Sequence, residues 1–104
     1  MNLLENYNDI EKIIPLIKLH IHLFDDFENV YLFGSILDKK FPNDIDILLI
    51  YSKFSDNLIY STNNISNELQ KILNFPIDLT ILSLEELKEV KFLDKIKLKY
   101  IRIK

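Results

Sequence analysis

Three aspartates and the chain's sole glycine are the residues whose types and spacing could do chemistry. Gly34 follows the apolar run Val30 to Phe33 and precedes Ser35, so it stands where a strand ends and a turn begins. A residue without Cβ permits positive φ and lets another group come close to the backbone. Ser35 can cap a short helix after that turn, leaving N–H groups directed at an anion such as a triphosphate. Taken alone, a Gly-Ser pair is most simply a tight turn. Asp44 and Asp46 change that reading. On a strand, residues two apart point to one side, about 6.5–7 Å apart at Cα, and two carboxylates so placed can share a pair of metal ions. Magnesium wants hard oxygen ligands and usually takes one or two carboxylates together with substrate phosphates. Asp78, one residue into the apolar run Ile77 to Leu82, can close the cluster if its strand lies beside that of Asp46, as metal ligand and as general base on an incoming hydroxyl. On an edge strand it is otherwise a solvated acid.

The elements that must position these residues follow from apolar spacing. Asp9 to Phe27 reads as helix through Ile10, Ile13, Ile14, Ile17, Ile21 and Phe24, with Pro15 marking a kink or a fresh start. Val30 to Phe33 reads as a strand, Ser35 to Lys39 as a helical turn, and Phe41-Pro42-Asn43 as a break. Asp44 to Tyr51 has apolar residues on both faces, the pattern of a mostly buried strand. Ser55 can cap a helix to about Leu73 whose core face is Leu58, Ile59, Ile65, Leu69 and Ile72. Ser83-Leu84-Glu85-Glu86 has the capping-box pattern and starts a helix through about Phe92. Lys97 to Ile103 is the last strand. The order predicts an α/β (α+β) fold, a mixed sheet of about four strands flanked by helices, in one domain spanning residues 1–104. The short link between the first two strands predicts an antiparallel pair.

Composition narrows the function. The 104 residues are 48% hydrophobic and 28% charged, enough for one buried core and against extended disorder. With no cysteine, disulfides and thiolate metal sites are excluded. Neither a secretory signal nor a membrane span is visible, so the expectation is a cytoplasmic protein without a membrane role. The net charge of −3 argues against gripping nucleic acid by its backbone. The tail Lys95 to Lys104 is locally basic and reads as an amphipathic strand with a solvated face, or as a phosphate-steering or partner-binding edge.

The run Tyr31-Leu32-Phe33-Gly34-Ser35, then eight residues, then Asp44-Ile45-Asp46-Ile47-Leu48 resembles the signature of the DNA polymerase β nucleotidyltransferase superfamily. In length and layout the chain is similar to the minimal nucleotidyltransferase (MNT) antitoxins, partners of HEPN ribonuclease toxins. The resemblance implies that Gly34 and Ser35 contact the β,γ-phosphates of ATP, that Asp44 and Asp46 bind two Mg2+ ions, and that Asp78 completes the site. It implies AMP transfer to a hydroxyl of a HEPN toxin, in a hetero-oligomer. The chain departs from the family in its shorter spacer after Ser35 and in lacking the arginine and glycine that often follow the serine. Lys39 or Lys40 can stand in for that arginine, without its bidentate geometry; otherwise they are solvated loop lysines. The alternative is a degenerate member that neutralises its partner by contact alone. His20 and His22, two apart on the predicted helix, should point to different sides and make a poor metal pair. Asp25 and Asp26 read as solvated and the aromatic residues as core.

Overall fold

The computed structural model describes residues 10–38, 44–96 and 99–104. Helix α1 (Ile10–Leu19) buries Ile13 and Ile17, one turn apart on one face. Pro15 lies inside α1 on its exposed side, so the helix does not restart there. The predicted continuation to Phe27 is corrected. After Leu19 the chain tightens into a 3₁₀ turn, Ile21–Phe24, begun by the His20 N–H donating to the Ile17 carbonyl at 3.0 Å. The physical reason is packing: three residues per turn align positions three apart, and Phe24 and Phe27 are both buried in the core.

Strand β1 (Asn29–Phe33) leads into α2 (Ser35–Asp38), then β2 (Ile45–Tyr51), α3 (Asp56–Leu73), β3 (Ile77–Ser83), α4 (Leu84–Val90), α5 (Phe92–Lys95) and β4 (Tyr100–Arg102). The sheet order is β3-β2-β1-β4. β1 is antiparallel to β2 and to β4, while β2 and β3 are parallel and joined by α3. This is the mixed four-stranded α/β sheet that the sequence implies.

Alternation divides β2 between two layers. Ile45, Ile47 and Leu49 join Val30, Leu32 and the buried faces of α1 and α3 in one core cluster. Asp46, Leu48 and Ile50 face the opposite way, and Leu48 and Ile50 are fully buried on that side, where α4 packs on β3 and β2. α4 begins with the predicted capping box. The Glu86 N–H donates to Ser83 Oγ, and the Ser83 N–H donates to Glu86 Oε1, both at 3.0 Å. Lys91 in the left-handed region (φ 50°) ends α4, so the single helix predicted through Phe92 is two. α3 buries Leu58, Ile65, Leu69 and Leu73, but Ile59 is 55% exposed, contrary to its predicted place in the core. Residues 58 and 59 lie about 100° apart around the helix, and only the Leu58 side meets the sheet. Ser55 is the N-cap of α3, although its side chain makes no capping hydrogen bond. No helix among the described residues is long and apolar enough to cross a membrane.

Candidate functional site

The parallel register of β2 and β3 places Asp78 beside Asp46. Asp44 precedes β2 by one residue and shares the side of Asp46. One carboxylate oxygen from each of Asp44, Asp46 and Asp78 lies within 4.8 Å of the others. Asp44 and Asp46 are half-buried and Asp78 is exposed. Asp78 is on an outer strand, as its solvated reading required, and it also closes the cluster. Three carboxylates so close repel one another unless a cation lies between them, and hard oxygen donors in this number suit a divalent ion of the magnesium class.

Gly34 closes the other side. Phe33 is opposite Asp46 in the β1–β2 ladder, so the turn begins next to the acidic cluster. Its φ of +84° is a conformation L side chains rarely adopt, and a Cβ built there would lie 2.8 Å from the carboxyl carbon of Asp46. Glycine is needed twice over, for the backbone and for room beside the acid. The Gly34 carbonyl accepts from the Leu37 N–H at 3.0 Å, so the turn runs directly into α2. Ser35 is the first residue of that helix, inside it rather than capping it from outside. Lys39 and Lys40 lie outside the described residues. Of the sequence-predicted site residues, the structure therefore brings Gly34, Asp44, Asp46 and Asp78 to one end of the sheet, with the Ser35 backbone adjoining.

An aromatic wall missed by sequence reasoning borders the cluster. The Phe33 and Phe92 rings meet edge to face, with centroids 5.4 Å apart, which fixes α5 over the end of β1. A second pair, Tyr31 and Tyr100, lies 5.1 Å apart farther along the same face. Uniformly apolar patterning could not separate these contacts from ordinary core.

A sizeable groove lies elsewhere. A groove of about 380 Å³ is lined by Tyr51, Phe54, Leu58, Ile59, Ile81 and Glu86 at the other end of β2 and β3, roughly 16 Å along the strand from Asp46 at 3.3 Å per residue. Phe54 there is 61% exposed, and Tyr60 on α3 is 74% exposed, so the expectation that aromatics are core fails for both. The placement of His20 and His22 on one helix is corrected. α1 ends at Leu19, before both, and their ring centroids lie 6.1 Å apart, while His20 Nδ1 lies 3.0 Å from the Leu16 carbonyl oxygen. Asp26 accepts a hydrogen bond from Ser61 and is not merely solvated.

A protein-family model described as polymerase beta, nucleotidyltransferase matches residues 11–102. No curated protein sequence matches the chain. Among solved structures, a mutant of the toxin–antitoxin pair MntA–HpeT is similar over 90% of this chain and 71% of that one, at 21% identity and a TM-score of 0.53. A Sulfolobus solfataricus protein described as a nucleotidyltransferase aligns over 88% of this chain and 79% of its own, at 19% identity and TM-score 0.51. A tri-AMPylated Shewanella oneidensis HEPN toxin in complex with its MNT antitoxin gives 21% identity, 90% and 67% coverage, and TM-score 0.50. These likenesses concern the fold. With the family model covering nearly the whole chain and an acidic cluster beside a glycine turn, the chain belongs to the polymerase beta nucleotidyltransferase family.

Proposed function

We propose that the protein is a magnesium-dependent nucleotidyltransferase that moves AMP from ATP to a hydroxyl of a partner protein, a HEPN-type toxin. The observation that carries this reading is the approach of three carboxylates within 4.8 Å of one another beside the Gly34 turn. Asp44, Asp46 and Asp78 would hold the metal, and when bound it supplies charge neutralisation for a triphosphate and its leaving pyrophosphate. Gly34 makes room for the Asp46 carboxylate beside the turn, and Ser35 contacts the triphosphate. Asp78, exposed on the outer strand, is open to an incoming acceptor. Its carboxylate takes the hydroxyl proton while a bond forms between the acceptor oxygen and the α-phosphorus. The bond from that phosphorus to the bridging oxygen breaks, and pyrophosphate departs with its electron pair. The partner is supported by the MNT–HEPN pairing of similarly folded chains.

Incubation with Mg2+, α-labelled ATP and a cognate HEPN protein tests the reading. Label should pass to a hydroxyl side chain of that protein with wild type and not with an Asp44→Asn/Asp46→Asn double variant. Equal transfer by the two would overturn the reading. Neutralisation of the partner by a carboxylate-free variant, with no label transferred by wild type, would establish instead a module acting by contact.

A further inference from the structure

β3 ends the sheet on the side away from β4, and among the described residues no strand pairs with its outer edge. β2 beside it is buried along most of its length, whereas every residue of β3 is half-buried or exposed. The backbone of β3 can be sorted by direction. The Ile45 N–H of β2 donates to the Pro76 carbonyl at 2.9 Å. In a strand, the N–H and C=O of one residue point to one side and those of the next to the other. Pro76, Asp78, Thr80 and Leu82 therefore turn toward β2, and Ile77, Leu79 and Ile81 turn outward. The Ser83 N–H also leaves the ladder, and the capping box takes it, 3.0 Å from Glu86 Oε1. The open edge thus consists of the N–H and C=O groups of Ile77, Leu79 and Ile81. Nothing blunts it. Ile77 to Ser83 contains no lysine, arginine or proline, and its one-to-one register against β2 has no bulge.

We propose that the protein forms a two-fold dimer by antiparallel pairing of β3 with β3 of a second copy, centred on Leu79. Four strands from each copy would then make one continuous sheet. In this register Leu79 faces Leu79 and Ile77 faces Ile81 of the other copy, so every outward N–H meets an outward C=O in about six hydrogen bonds. A centre at Thr80 would need the Ser83 N–H, which Glu86 already holds. A centre at Asp78 would set two carboxylates directly opposite each other, which is unfavourable. The side chains agree with the Leu79 centre. Ile77, Leu79 and Ile81 form apolar cross-strand pairs on the face toward the α1–α3 core. On the acidic face Asp78 stands opposite Thr80 of the other copy, a non-hydrogen-bonded pair with Cα atoms about 4.5 Å apart, where the hydroxyl donates to the carboxylate. The two Asp78 residues lie on a diagonal, about 7–8 Å apart. Each copy thereby lends a hydroxyl to the other's acidic cluster. The groove lined by Phe54, Ile59 and Ile81 borders the same edge and would be covered on that side. The new bonds lie within the sheet while Asp78 stands on its face, so the cluster keeps its opening. A strand of a different protein is the competing occupant. The Asp78–Thr80 match, made twice by one strand with itself, favours a second copy.

Analytical ultracentrifugation of the full chain, without metal or nucleotide, should show a monomer passing to a dimer across the micromolar range. Amide exchange on the same samples reads the edge directly. The N–H groups of Ile77, Leu79 and Ile81 should slow at least about tenfold as the dimer forms, while those of Asp78, Thr80 and Leu82, already bonded to β2, should change much less. Ile81→Lys places a charge in two apolar pairs at once and should weaken the dimer at least about tenfold. A thiol fixes the register, because the chain has no cysteine of its own. Leu79→Cys should join two copies on mild oxidation, since the Cα atoms of a hydrogen-bonded pair lie about 5.5 Å apart, within disulfide reach. Ile81→Cys, about 14 Å from its counterpart, should not. A wild type that stays monomeric overturns the proposal, and β3 amides then protected only by an added HEPN protein would assign the edge to that partner. A dimer that Ile81→Lys leaves intact, or that cross-links as readily through Ile81→Cys as through Leu79→Cys, overturns this pairing of β3.

Discussion

Replacing Gly34 with alanine tests the geometry of the site at its tightest point. The backbone there has φ +84°, and holding a non-glycine residue in a left-handed conformation costs about 1–2 kcal/mol. The added Cβ would also meet the Asp46 side chain, 2.8 Å from its carboxyl carbon and 3.1 Å from its Cβ. Swinging that side chain off its rotamer costs about 0.5–1.5 kcal/mol more. The combined loss is about 1.5–3.5 kcal/mol, and at roughly 4–8 °C per kcal/mol for a domain of this size Tm should fall by about 6–28 °C. Circular dichroism melts measure the stability part. Mn2+ titration measures the site part, where moving one of three ligands should weaken binding at least about tenfold. In an Asp46→Ala background the carboxyl part vanishes, so the penalty should shrink toward the backbone cost alone. A Gly34→Ala protein that melts within about 2 °C of wild type and binds Mn2+ equally well would refute the reasoning.

Asp46→Asn removes one of the three clustered carboxylates and should abolish the rise in Tm expected when Mg2+ is added to wild type; an equal rise in the variant would count against a metal role for the cluster. Leu58→Ala should cost about 2–4 kcal/mol in urea unfolding because Leu58 is 5% exposed, whereas Ile59→Ser should cost less than about 0.5 kcal/mol at 55% exposure. Ser83→Ala removes the capping-box acceptor of α4 and should cost about 1 kcal/mol by the same measurement. Lys91→Gly should stabilise by up to about 1 kcal/mol, because Lys91 holds φ at 50°.

The site was more legible in sequence than the packing around it. A lone glycine after an apolar run and acids at positions 44, 46 and 78 could be placed because strand alternation and turn chemistry are local rules. They bring Asp44 and Asp46 to one side whatever else the chain does. Asp78 was conditional, because its usefulness depends on which strand lies beside β2. The parallel register supplies that, and no local pattern encodes it. The end of α1 and the break at Lys91 were missed for a related reason. Propensity favours continuing both helices, and tertiary demands override it: burial of Phe24 with Phe27, and contact of Phe92 with Phe33. Ile59 and Phe54 look like core by composition. Only the direction of α3 over the sheet leaves them lining an open groove.

The parallel pairing of β2 with β3 also sets when the site can exist. Asp46 and Asp78 are 32 residues apart in the chain, and α3 must fold back across the sheet before they become neighbours. Closing a loop of that length costs entropy that only the finished ladder repays. Asp44 and Asp46 can meet a cation in an incompletely folded chain, but the three-carboxylate cluster appears only with the last parallel strand in place. A divalent ion held by all three carboxylates would therefore act as a latch on late assembly. Its binding free energy should slow global unfolding and amide exchange in β3, with little effect on fraying of α1, which takes no part in the latch.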